Sequence, residues 1–376
     1  MSETLTETPR PALAVTREPF GRMPDGTPIW RYRLTNRCRM TVELVTYGAR
    51  IHAIHVPDMH GNNEDITLGF DSLEGYLSEN DAYFGATIGR YANRIGGARF
   101  DVNGTTHELS ANEGANTLHG GHNGLDSCVW ASESFDAGSA VGVEMTYFSP
   151  DGEMGFPGNL AVTVRYTLDD ANRLAVHYSG VCDRATPVNL TNHVYFNLAG
   201  AGMPSVLEHV VSLNASRFTP VDDAMIPTGT LAPVAATPLD FMRPRRIGDA
   251  IDADHEQLTR AGGYDHNWVL DTEGDIARLA ARVIEPESGR GLEMFTTEPG
   301  VQFYTGNNLP GGFVAKNDKT YPPRSGFCLE AQRFPDAPNQ AGFPDTILRP
   351  GAKYGQTTIY RFLPDRPPAN TFFDDP

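Results

Sequence analysis

The sequence predicts an all-β protein, one large antiparallel β-sandwich with few short helices. Three observations carry this. Short runs alternate apolar and polar residues with period two, the spacing of a half-buried strand. Glycine and proline, 38 and 28 of 376 residues, punctuate those runs with turns. Helical periodicity is weak throughout.

Trp30, Tyr32 and Leu34 give the first clear alternation, and Val143, Met145 and Tyr147 another. Leu160, Val162, Val164, Tyr166 and Leu168 point one way, with Thr163, Arg165 and Thr167 between them. After a polar turn at Asp169 to Asn172, Leu174, Val176 and Tyr178 repeat the pattern against His177 and Ser179. Two such runs joined by a short polar turn read as an antiparallel hairpin. Arg245 to Leu258 is the best helical stretch. Val301-Phe303-Thr305 and Thr358-Tyr360-Phe362 add two late strands. No linker divides the chain and no internal repeat is visible, so residues 15–364 are expected to form a single domain. Residues 1–14 and 365–376 are expected to be flexible tails.

The formal charge of 30 − 47 = −17 repels nucleic acid, anionic lipid and phosphorylated substrates. A small neutral partner fits better. No run approaches ~20 apolar residues, so no membrane span is expected. Met1 to Pro11 has no apolar segment of the kind that begins a secretory signal, and a cytoplasmic location is expected. Cys38, Cys128, Cys182 and Cys328 form no Cys-x-x-Cys pair and read as reduced, buried thiols. The acidic surface shows no self-association patch, which favours a monomer or weak homodimer.

Three short stretches hold most of the chemistry. In Asn189-Leu190-Thr191-Asn192-His193-Val194-Tyr195-Phe196-Asn197, a histidine lies in a strand-like run crowded with asparagine, a residue depleted in strands. His193 is either a core histidine held by a carbonyl or a proton-transfer group. His119 sits on the glycine turn Asn116-Thr117-Leu118-His119-Gly120-Gly121, at a groove mouth or simply in a turn. Its spacing to His122 matches two metal ligands, but acidic or thiolate companions are missing nearby, and no metal site is expected. Glu330 follows Phe327-Cys328-Leu329, so it is either a desolvated base or a strand-end carboxylate paired with Arg333.

Asp265 belongs to Gly263-Tyr264-Asp265-His266-Asn267-Trp268, a mix of aromatic, acid and amide that suits a sugar. Asn93 and Arg94, in Gly89-Arg90-Tyr91-Ala92-Asn93-Arg94-Ile95, supply an amide and a fixed fork of donors. Glu298 opens a Pro-Gly turn in Thr296-Thr297-Glu298-Pro299-Gly300, where a solvated carboxylate is the ordinary outcome. Arg243-Pro244-Arg245-Arg246 is a solvated loop or, less simply, a phosphate subsite.

These segments, with Ser149-Pro150-Asp151-Gly152-Glu153-Met154-Gly155-Phe156-Pro157-Gly158 and Gly326 to Gln332, resemble the aldose 1-epimerase (galactose mutarotase) family. They occur in the family's order from about Phe20 to Leu363. The resemblance implies a β-supersandwich with an open sugar groove, and neither metal nor organic cofactor. It implies Glu330 as general base, His193 as general acid and His119 as a second histidine near the ring oxygen. Asn93, Arg94 and Asp265 are implied as sugar-binding residues. Glu298 stands where some members carry Gln, which implies a second carboxylate near the sugar. Gly124-Leu125-Asp126-Ser127 departs from the expected Gly-Phe-Asp-Lys, although Trp130 is kept.

The implied reaction is opening and reclosure of a free hexose such as glucose or galactose, with acid and base on opposite sides of the pyranose. The asparagines around His193 are expected to help fix ring atoms. The alternatives are a hexose-6-phosphate 1-epimerase, a glycoside hydrolase with two carboxylates, and a non-catalytic sugar-binding module.

Overall fold

The computed structural model describes residues 12–78 and 82–364, and almost all of the two expected tails lies outside that range. The first strand begins at Ala14, one residue inside the expected lead. Three antiparallel sheets carry the fold. The first runs in chain order through Ala14–Arg22, Pro28–Thr35, Thr41–Val45, Arg50–Pro57 and Asn63–Asp65. The second has nine strands and contains the predicted hairpin, Leu160–Asp169 with Arg173–Cys182, registered Leu160 to Cys182 and Leu168 to Leu174. Burial alternates along both strands at the sequence's own period of two, breaking only at Cys182 at the end of the second.

The third sheet positions the site. Its six strands run in the order Tyr195–Phe196, Phe327–Gln332, Gly300–Tyr304, Asp265–Val269, Arg217–Thr219 and Ala232–Pro233. One face is apolar: Trp268, Val301, Phe303, Leu329 and Ala331 join a core shared with Leu44 and Ile54 of the first sheet and Val164 and Tyr166 of the second. The other face carries Asp265, Asn267, Gln302, Tyr304, Cys328, Glu330 and Gln332. The pairings Gln302–Glu330, Tyr304–Cys328 and Asp265–Tyr304 put these side chains side by side. Glu298 lies in the turn between Gly291–Thr296 of the nine-stranded sheet and Gly300–Tyr304 of the six-stranded one, where the chain passes from one sheet to the other.

The helix expected within Arg245 to Leu258 is displaced. A two-residue strand, Arg245–Arg246, pairs with Val210–Leu213, and a 3-10 turn follows at Ile247–Asp249. The α-helix spans Glu256–Ala261 and ends at Gly262, whose φ of 66° lets its amide reach the Leu258 carbonyl. Cys38 is exposed, contrary to expectation, because it sits in the turn after Pro28–Thr35; Cys128 and Cys182 are half-buried and Cys328 is buried. No helix among the described residues is long and apolar enough to cross a membrane.

Candidate active site

A cavity of about 430 Å³ opens over the polar face of the six-stranded sheet, lined among others by Asn93, Arg94, His119, His193, Asp265 and Glu330. Its volume falls within the range of small-ligand pockets. Six of the seven residues singled out in the sequence therefore meet in one place. Glu298 does not line it.

Glu330 is 2% exposed, in the middle of a fully buried strand. Burial raises its carboxyl well above the usual range; Asp265 adds to this and Arg94 opposes it. One carboxyl oxygen lies 3.7 Å from His193 Nε2, and the other is buried without a hydrogen-bond partner. An unpaired buried acceptor is costly, so this oxygen is suited to a ligand hydroxyl.

His193 does not lie inside a continuous strand. It occupies a break between Thr191–Asn192 and Tyr195–Phe196, held by its amide on the Ala86 carbonyl and its own carbonyl on the Gly85 amide. Burial lowers its pKa to about 4, with its own backbone carbonyl pulling upward. The surrounding asparagines serve the backbone, not the cavity. Asn189 donates to the Ala92 and Arg333 carbonyls, Asn192 to Gly85 and Asn197 to Ser325. They fix the break that presents His193 and are not placed to grip a sugar.

His119 follows Thr117–Leu118, which pairs with Arg94–Ile95. At Gly120 (φ 92°), a Cβ would stand 2.1 Å from the Gly89 carbonyl oxygen, so only glycine permits this approach. His119 Nδ1 accepts from the Asn93 amide at 3.1 Å. In its neutral form the ring proton is then on Nε2. Burial, with His193 and Arg94 nearby, holds its pKa well below normal. His119, His193 and Glu330 offer ligand atoms within 4.8 Å of one another, spacing a divalent cation could bridge. With Nδ1 engaged by Asn93, however, neutral His119 turns its other nitrogen outward as a donor, which suits a sugar oxygen and not a metal. His122 bonds the Ala111 carbonyl and takes no part.

Arg94 reaches the cavity already paired, through Nε and Nη2, with both carboxylate oxygens of Glu113 at 2.6 Å. Asp265 accepts from Gln302 Nε2 at 2.7 Å, and burial raises its pKa against the pull of Arg94. Glu113, Gln302, Tyr195 and Tyr304 are not marked out by the sequence alone. Glu113 stands three residues before Asn116, and the other three lie inside segments that were recognised. Alternation from Glu330 and strand pairing would have pointed to Gln302 and Tyr304. Ala82, Tyr83 and Leu118 also line the cavity, and Asn308, Leu309, Pro310 and Phe313 close it with a loop tied down by Lys316 on Asp65 at 2.7 Å and by Arg324 on Asp252 at 2.6 Å.

Glu298 is a buried carboxyl at the sheet crossover, with one oxygen unpartnered. Burial pushes its pKa up to about 7 against the attraction of Arg333. Its folded pKa thus exceeds the unfolded one. The stability tied to it is fully present below the unfolded value, near 4.5, and is lost as pH rises through 7. Glu298→Gln should raise the Tm at pH 8.5, by up to about 3 kcal/mol of stability, and leave it unchanged at pH 4.5. Equal effects at both pH values in thermal melts would refute this.

The aldose 1-epimerase family model matches residues 31–361. The galactose mutarotase of Rattus norvegicus is 44% identical over 351 residues, 93% of this chain and 99% of that protein. The aldose 1-epimerase of Escherichia coli (strain K12) is 38% identical over 342 residues, 90% and 97% of the two chains. The crystal structure of galactose 1-epimerase from Lactobacillus acidophilus superimposes with a TM-score of 0.82 at 30% identity, covering 94% of this chain and 99% of that one. With the fold, the segment order and near-full-length similarity in agreement, this chain belongs to the aldose 1-epimerase family.

Proposed function

We propose that this protein is an aldose 1-epimerase that interconverts the α and β anomers of free hexoses such as glucose and galactose. The observation that carries the proposal is the Glu330 carboxyl and His193 imidazole, 3.7 Å apart in a cavity of monosaccharide size. They stand side by side and not across a ring, which corrects the arrangement expected from sequence. The geometry still suits the reaction, because the anomeric hydroxyl and the ring oxygen are bonded to the same carbon.

Glu330 takes the proton of the C1 hydroxyl while His193 gives the proton on Nε2 to the ring oxygen. The C1–O5 bond breaks and the C1 carbonyl forms. Rotation about C1–C2 presents the other face of the aldehyde. The C5 hydroxyl then adds to C1, its proton passes to His193, and Glu330 returns its own to O1. Atoms and charge balance without a hydride acceptor or covalent intermediate. Each positioned transfer contributes ~10²–10⁴-fold.

Burial favours the neutral pair, protonated Glu330 and uncharged His193. That is the state the pair reaches once the ring has opened, so desolvation helps to draw the proton off O1. Hydroxyls of the bound sugar solvate the ion-pair form from which opening starts. Arg94, Asp265 and the His119 donor hold the remaining oxygens while C1–C2 turns.

A hexose phosphate is not favoured. Arg245 is spent on the Pro238 and Asp240 carbonyls and Arg246 on Glu208, and none of the Arg243 to Arg246 segment lines the cavity. Arg94 is already neutralised by Glu113. Polarimetry of freshly dissolved α-glucose and α-galactose tests the reading. Rotation should relax faster in proportion to protein concentration. Relaxation at the buffer rate would remove it, and release of reducing sugar from a disaccharide would favour a hydrolase instead.

A further inference from the structure

Cys328 and Glu330 are two residues apart on one strand and therefore project from the same face. Between them they take both ring nitrogens of His193: Nε2 lies 3.7 Å from the Glu330 carboxyl, and Nδ1 lies 3.5 Å from Cys328 Sγ. All three residues are buried. The pairing of Tyr195 with Cys328 fixes the spacing, since it locks the strand that follows His193 to the strand that carries the thiol.

We propose that Cys328 is a positioning residue whose sulfur accepts the Nδ1–H of His193 and so reserves Nε2 for the proton exchanged with the sugar. The inference rests on the reaction proposed above and deepens it. In both protonation states that His193 visits there, Nδ1 keeps its hydrogen, so its partner must be an acceptor throughout. A thiol is a weak acceptor. A carboxylate in this place would hold the imidazolium too firmly for it to protonate an ether oxygen, a very weak base. An apolar residue would leave a buried N–H unpaired and the ring free to adopt the other tautomer. Sulfur lies between these extremes. Burial also keeps the group a thiol and not a thiolate, which would bind the imidazolium tightly.

The test has two independent parts. Long-range ¹H–¹⁵N spectra of the sugar-free protein report which nitrogen of neutral His193 is protonated, whatever the protein's activity. The wild type should show Nδ1–H, Cys328→Ser should retain it, and Cys328→Ala should show mixed or exchanged tautomers. Mutarotation kinetics should then show an about tenfold fall in kcat for Cys328→Ala, the scale of one hydrogen bond, with KM within twofold and most of kcat restored in Cys328→Ser. Neutral wild-type His193 protonated on Nε2 overturns the proposal, as does a Cys328→Ala protein with the wild-type tautomer and kcat. If the wild type lacks mutarotase activity, the reading of the function fails while the spectra still decide the thiol contact.

Discussion

Glu330→Gln should lower kcat for mutarotation by at least about 10³-fold while leaving KM within a few-fold. The amide keeps the shape and fills the same buried space, but it cannot take the O1 proton. Its neutrality matters for interpretation. Burial and Asp265 push the Glu330 carboxyl toward its neutral form in the empty site, against the pull of Arg94, so an uncharged amide is no harder to bury than the native side chain. The variant is therefore expected to fold and to melt no lower than the wild type. Sugar binding, read by titration calorimetry with galactose, should survive because Arg94, Asp265 and His119 are untouched. Wild-type turnover in this variant would eliminate Glu330 as the base. Loss of binding together with turnover would show that the carboxyl grips the sugar and does not act on it.

The parts of this fold that were readable are those where local pattern and tertiary environment agree. Leu160 to Tyr178 could be read as a hairpin because both strands bury one face only, so alternation survives in the sequence. Phe327–Gln332 is buried on both faces and loses that alternation, and Gly300–Tyr304, readable as a strand from Val301 and Phe303, is likewise buried on both faces. Their polar face over the cavity, with Gln302 beside Glu330, emerges only from the pairing of strands distant in sequence. Glu330 was legible as a candidate because a carboxyl after three apolar residues is open to desolvation, although a strand-end pairing with Arg333 read equally well. Glu298 read from its turn as a solvated carboxylate, and from the resemblance as a second carboxylate near the sugar. Its place at the crossover between two sheets depends on where the chain changes sheet, which no nearby residue announces. The asparagines around His193 were correctly read as hydrogen-bonding groups. Most of their partners are main-chain atoms, up to 144 residues away, and only the folded chain supplies those.

His193→Asn should cost about 10²–10³-fold in kcat. Asparagine preserves a polar group of similar reach but has no proton to give and take near neutral pH. The break that presents residue 193 should persist, because it is fixed by main-chain bonds to Ala86 and Gly85 and by Asn189, Asn192 and Asn197, not by the imidazole. An unchanged rate in polarimetry would make the ring structural. The sharper measurement is the double variant. Ring opening needs both transfers in one step, so a site without the acid gains little from the base. Glu330→Gln combined with His193→Asn should be hardly slower than the slower single variant, far from the product of the two losses. Fully multiplicative losses would mean that the two residues act on separate steps. Their 3.7 Å separation would then reflect shared burial and not one proton relay.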